Sequence, residues 1–206
     1  MMPGMTDPSR SLPRRAALTE ALLGIVVERG LDQVSVREVA AAAGVSIGTV
    51  QHYFPTKDAM LSAAYHEVLS RLRSRLRAVP LGADTRGNLA AVLTELLPLD
   101  RRRIAECRVH LAFAARAAIS PELAEIQRAA LVELHAAVTD AFALAWDGRV
   151  ARAACALAAQ AAIAGADGLA LHAVSSAGWL SGRRQRAVLD TLLDGLLSVG
   201  SAHDIG

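Results

Sequence analysis

The sequence predicts an all-α protein: an N-terminal three-helix unit carrying a helix-turn-helix, followed by a C-terminal helical unit. Three observations carry that expectation. Hydrophobic residues make up 53% of the 206 residues, with long alanine runs and few β-branched clusters. Apolar residues recur three and four positions apart, and N-capping residues, glycines and prolines punctuate the chain at helix-length intervals. No strand pattern is present, and 206 residues are enough for one large or two modest domains.

In chain order, residues 1–12 lack periodicity and read as a mobile arm, whose Arg10, Arg14 and Arg15 either touch phosphate or stay solvated. A first helix spans about Pro13 to Arg29, with Leu18, Leu22, Ile25 and Val26 on one face and Gly30 as its stop. Ser35 and Glu38 then form an S-x-x-E capping box, with Val34 and Val39 placed as a hydrophobic staple, so the next helix starts at Val36. Gly44 suits a left-handed helix end, and Ser46 caps a short following helix closed by Phe54-Pro55. On that helix Ile47 and Val50 are placed inward, leaving Gly48, Thr49, Gln51, His52 and Tyr53 outward.

Thr56 caps a fourth helix to about Ala78, striped by Met60, Leu61, Ala64, Val68, Leu69, Leu72 and Leu76. Arg71, Arg73, Arg75 and Arg77 alternate two apart and read as a solvated surface. The domain boundary is placed near Ser62, dividing 1–62 from 63–206. Five further helices follow: one capped by Asp84 and running to Leu97, Arg101 to Ala118 with Asp100 as its cap, Pro121 to Trp146 with Ser120 as its cap, residues 149–174, and about Arg183 to Val199. Segment 150–174 is apolar nearly all round, its charges being Arg152 and Asp167, which predicts burial on more than one side and no membrane span. Its small residues Ala154, Ala158, Ala161 and Gly165, with His172, and Leu189, Leu192, Leu193 and Leu196 of the last helix, are the expected surface of a two-fold four-helix dimer interface.

A seven-residue helix buries too little to hold itself, and reading a DNA major groove gives its outward face a purpose. The stretch GVSIGTVQHYFPTKDAM resembles the signature of the tetracycline-repressor (TetR) family of bacterial regulators. Gln51 stands where many members carry tyrosine, and Gln-His-Tyr-Phe is similar to the choline-responsive, BetI-like branch. The resemblance implies a homodimer on palindromic double-stranded DNA, dimerised through the last two helices, with an unidentified small-molecule effector in the C-terminal part. The expected DNA-facing residues are Ser35, Val36, Arg37, Ser46, Ile47, Gly48, Thr49, Gln51, His52, Tyr53 and Lys57. Among them Thr49, Gln51 and His52 would read bases, and Tyr53 and Lys57 would hold phosphate. Candidate effector contacts are Cys107, His110, Phe113, Phe142, Trp146, Gln160 and Asp167, between the helices at 101–118, 121–146 and 149–174. So few aromatics lie beyond residue 65 that choline is not carried over.

Residues 1–80 hold ten Arg/Lys against seven Asp/Glu, whereas residues 81–206 hold twelve against thirteen, so a nucleic-acid surface is expected in the N-terminal part. Cys107 and Cys155 sit in apolar helical context without a signal peptide, which reads as reduced thiols in a cytoplasmic protein. No metal-ligand spacing, cofactor motif or nucleophile–base pair is present. A ligand-responsive repressor is therefore the leading expectation. The alternatives are a constitutive DNA-binding or architectural factor without an effector, and, last, a helical enzyme or carrier with a vestigial reading head.

Overall fold

A computed structural model describes residues 8–176 and 178–202, with side chains over 13–176 and 178–198. Among the described residues the chain forms nine α-helices and one 3-10 turn and no strand. The helices are α1 (Pro8–Arg29), α2 (Val36–Ala43), α3 (Ile47–Tyr53), α4 (Lys57–Ala78), α5 (Thr85–Thr94), α6 (Arg101–Ala117), α7 (Pro121–Ala145), α8 (Arg152–Ser175) and α9 (Gly182–Ala202).

Local chemistry sets the ends of α2 to α4. Ser35 Oγ accepts the Glu38 N–H at 3.2 Å, Ser46 Oγ accepts the Thr49 N–H at 3.1 Å, and Thr56 Oγ1 accepts the Ala59 N–H at 3.0 Å. Gly44 takes φ 64°, ψ 35°, so its N–H reaches back to the Ala40 and Ala41 carbonyls while Val45 N–H bonds to Ala40 O. The capping box is only half made, because the Glu38 carboxylate pairs with Arg29 at 2.5 Å. Two expectations change. Helix α1 begins at Pro8, so residues 8–12 are helical where an arm was expected, and the arm's residues 1–7 and the Arg10 side chain lie outside the described residues. Ile47 is 44% exposed and does not face inward; Val50 alone fills that role on α3.

The first core gathers Leu22, Val26, Val39, Val50 and Phe54 from the N-terminal helices. It continues through Ala64, Tyr65 and Val68 of α4 into Val109 and Phe113 of α6. Helix α6 thus packs on both α1 and α4. The arginines of α4 are not a solvated row: Arg73 binds Glu133 of α7, Arg75 binds Glu95 and Glu106, and Arg71 binds Glu67 and Glu20 of α1. Arg77 remains exposed. Arg116, at the end of α6, grips Asp58 in the first turn of α4 at 3.0 Å.

A second core joins α5, α7, α8 and α9 around Leu93, Phe142, Ala159, Ile163, Leu189 and Leu193. Helix α8 is long and apolar enough to cross a membrane by length and composition, with mean hydropathy 1.5 over its best window. Its buried alanines, Ala158, Ala159, Ala162, Ala166 and Ala170, lie on a helix packed against both α7 and α9. A Cβ at Gly165 would lie 2.3 Å from Leu192 Cδ2, so the small residue lets α9 close onto α8 inside one subunit.

Glycine positions offer a paired test. Gly24 is exposed inside α1 with nothing within 4 Å of a built Cβ, so Gly24→Ala should stabilise by about 0.5–1 kcal/mol. Gly44→Ala meets no clash either but needs a left-handed backbone, and should destabilise by about 1 kcal/mol. Urea unfolding midpoints moving in opposite directions for the two variants are the check.

Candidate nucleic-acid interface and effector cavity

Helix α3 is held from below by Val50 and Phe54, which are buried, and presents Ser46, Ile47, Gly48, Gln51 and His52 outward. Ser35, Arg37 and Lys57 are exposed on its flanks, while Val36 is half-buried against the first core. Thr49 is half-buried, and its hydroxyl lies 2.9 Å from Ser46 Oγ, so what it can offer outward is chiefly its methyl group. Tyr53 packs partly on the core with the His52 ring edge-on at 5.1 Å. No carboxylate pairs with Arg37 or Lys57 among the described residues. Arg14 and Arg15 are also exposed, and the Arg15 guanidinium stands 5.9 Å above the Phe54 ring. Gly48 is the informative position. A Cβ there would meet only Ser46 Oγ at 3.8 Å, so nothing inside the chain requires glycine, although glycine weakens a helix.

The residues expected at a subunit interface divide into two groups. Ala158, Leu189 and Leu193 are buried in the second core, Gly165 is filled by Leu192, and Ala154 and Leu196 are half-buried. Ala161 and His172 are exposed, and His172 lies edge-on to Trp179 at 5.7 Å. The large apolar side chains left outward on α8 and α9 among the described residues are Leu157 (66% exposed), Leu171 (44%) and Val188 (42%), which the sequence reading did not name for the interface.

A cavity of about 160 Å³ lies between α4, α6, α7 and α8 and the turn after α5. It brings together three of the expected effector residues: Cys107, His110 and Asp167. The other four are elsewhere. Phe113 is stacked on Tyr65 in the first core, Phe142 lies beside Trp146 in the second, Trp146 Nε1 donates to Leu197 O at 3.4 Å, and Gln160 borders a separate open depression with Gln127 and His135. Helix α4 forms the wall that was missed, contributing Tyr65, Val68, Leu69, Leu72 and Leu76.

The cavity's two ends differ electrostatically. At one, the Glu106 side chain is almost fully buried; its Oε2 accepts from Arg75 Nη1 at 2.8 Å, and its Oε1, without a hydrogen bond, has Arg102 Nε at 3.4 Å and Arg71 Nη1 at 3.8 Å. Three guanidiniums thus neutralise one carboxylate. At the other end Tyr65, Cys107, His110 and Asp167 meet. Burial, then the Asp167 charge, pushes the Tyr65 phenol up to about 12 and the Cys107 thiol up to about 11. Burial lowers the His110 pKa despite Asp167 nearby, and raises the Asp167 carboxyl pKa despite His110 and His135. Asp167 borders the cavity and is exposed by area, yet neighbouring atoms crowd its carboxyl enough for burial to dominate its shift. Its carboxylate has no hydrogen bond or ion pair among the described residues.

A carboxyl with a raised folded pKa opposes folding once ionised. The penalty is absent below its unfolded value near 3.8 and grows as pH rises through the folded value. Asp167→Asn should therefore raise the melting temperature at neutral pH, with the gain shrinking as pH falls towards 3.8, in thermal melts across that range.

Residues 85–198, from the first residue of α5 into α9, match the family model described as BetI-type transcriptional repressor, C-terminal. Residues 18–64 match that of bacterial regulatory proteins, tetR family. BetI of Burkholderia cenocepacia is 31% identical over 187 residues, covering 90% of this chain and 94% of that protein. PksA of Bacillus subtilis is 31% identical over 117 residues, so the matched stretch spans 56% of each. The crystal structure of a transcriptional regulator from Rhodococcus sp. Rha1 shares the fold with TM-score 0.80 at 38% identity, over 90% of this chain and 96% of that one. Both the helix-turn-helix and the helical unit behind it are accounted for by these matches: the chain belongs to the TetR family of bacterial transcriptional regulators, with a C-terminal region of BetI type.

Proposed function

We propose that this chain is a cytoplasmic, homodimeric repressor that holds a palindromic operator through α3 and is released when a small molecule fills the cavity beside α4. Residues 1–62 form the reading head and 63–206 the effector and dimerisation part. The observation that carries DNA reading is the outward face of α3, with Gly48 unexplained by packing and Gln51 and His52 free to meet base edges. Release is supported by the double use of α4. Its first turn carries Lys57 beside α3, while its middle turns, Tyr65 to Leu76, wall the cavity. A ligand that fits only one tilt of α4 shifts the population of reading-competent dimers; one that fits both tilts equally shifts nothing. A hundredfold loss of operator affinity requires a preference of roughly 2.7 kcal/mol, within the ordinary range of coupling between sites. A constitutive DNA-binding factor is the second reading, and the presence of a cavity walled by α4 favours the first.

The dimer surface is the outward stripe of Leu157, Ala161, Leu171 and Val188, since Leu189 and Leu193 are already spent inside the subunit.

Selection of bound sequences from random duplex DNA tests the reading directly. Gly48→Ala should leave stability equal or better yet weaken the selected site, because it adds a methyl group where DNA approaches. Gln51→Ala should cost about 1–3 kcal/mol and relax preference at one base pair, whereas Lys57→Ala should weaken all sequences and reduce the salt slope by about one. Equal loss on specific and random DNA in Gln51→Ala would remove it from base reading. For the dimer, Leu157→Arg should yield a folded monomer by light scattering, while Leu193→Arg should unfold the subunit. An intact Leu157→Arg dimer would move the interface elsewhere.

A further inference from the structure

The cavity's unmet chemistry is concentrated at one end. Its arginines offer little to a ligand, since Arg73 is chelated by Glu133 at 2.9 and 3.1 Å, Arg75 by Glu95 and Glu106, and Arg103 by Asp100 and Glu95. An anion entering there would have to displace a carboxylate from each. Elsewhere in the lining the Asp167 carboxylate, the Tyr65 phenol and the His110 ring stand without a hydrogen-bond partner among the described residues, and the charge of Arg73, which also reaches Tyr65, is already paired with Glu133. The Tyr65 side chain is about 1% exposed, so its hydroxyl has little beyond the cavity to bond with. Burial discourages protonation of His110, which leaves one ring nitrogen as an acceptor.

We infer that the cavity takes a small apolar molecule bearing one protonated amine, whose N–H groups are accepted by Asp167, Tyr65 and His110; this rests on the reading of the cavity as the effector site. Three acceptors of this kind match the three donors of a primary ammonium, and the cation relieves the unpaired carboxylate. The body of the molecule lies along Val68, Leu69, Leu72, Leu131 and Leu134. A volume of about 160 Å³ is close to that of an apolar cavity able to hold benzene, which sets the body at about six carbons. A quaternary ammonium fits poorly. It donates no hydrogen bond and wants several aromatic faces, whereas one face of Tyr65 is covered by Phe113 at 3.9 Å and the other near ring is His110 at 5.8 Å.

An isosteric series separates the alternatives: hexylamine, 1-hexanol, hexanoate and hexyltrimethylammonium, each titrated by calorimetry into the full-length protein and tested for release of fluorescent selected-site DNA. Hexylamine should bind at least tenfold more tightly than the other three. Asp167→Asn should lose at least tenfold for hexylamine while leaving 1-hexanol unchanged, and Tyr65→Phe, which keeps the ring, should lose severalfold for hexylamine alone. Retained 1-hexanol binding shows that a variant's cavity is intact, so a fold defect is not mistaken for a lost anchor. Equal affinity for the alcohol, tighter binding of hexanoate or of the quaternary compound, indifference to Asp167→Asn, or no binding by any of the four would each overturn the inference. Asp167-dependent hexylamine binding without DNA release would uphold the amine site and remove the release mechanism. Release by another compound of the series without amine preference would do the reverse.

Discussion

The stack of Tyr65 on Phe113, with centroids 3.9 Å apart and planes 12° from parallel, joins α4 to α6 at the meeting point of the first core and the cavity. Both rings are buried, and close-packed rings cannot slide without opening a void. A change in the tilt of α4 on α6 therefore has to break this stack and passes between discrete arrangements, not through a continuum. The reading helix depends on the stack, because Phe54 and Val50 rest on the same core. The cavity depends on it too, since one of its walls begins at Tyr65. The family's division into a reading head and a helical remainder is thus crossed by one continuous core, which runs from Val50 and Phe54 through Tyr65 to Phe113.

Around that contact the charges are arranged as ties between helices. Arg116 joins α6 to the first turn of α4, Arg71 joins α4 to α1, Arg73 joins α4 to α7, and Arg86 joins α5 to Asp190 and Asp194 of α9. Most of these pairs are partly exposed, and each adds only a fraction of a kcal/mol to about 1 kcal/mol. Glu106 differs, being almost fully buried among three guanidiniums. Arg71 and Arg75 keep other carboxylates and Arg102 is largely exposed, so the buried Glu106 contributes chiefly by specifying how α4, α5 and α6 meet.

What the sequence made legible is what acts over a few residues. Ser35, Gly44, Ser46, Thr56 and Asp100 end or start helices through contacts three or four positions away, and all five take the expected roles. Asp84 and Ser120 stand at their helix starts as expected but make no side-chain cap bond there, so the boundary holds and the cap does not. Partners far apart in the chain were hidden. Arg73 and Glu133 are sixty positions apart, and a spacing of two along α4 says nothing of a carboxylate on α7. Helix α8 hid its orientation for another reason: with alanine on nearly every side, no periodicity distinguishes the face packed on α9 from the face left outward. Tyr65 escaped notice as a cavity residue because it precedes the region where a ligand was sought, although the helix carrying it was recognised.

Cys107 shows what the cavity's dryness does to chemistry. With its thiol pushed up to about 11 by burial and the Asp167 charge, Cys107 carries little of the reactive thiolate at neutral pH. Peroxides and electrophiles act on the thiolate, so a sulfur placed directly beside a bound molecule behaves there as a soft, polarisable wall. Burial beside Asp167 therefore works against oxidation or alkylation of this thiol at neutral pH.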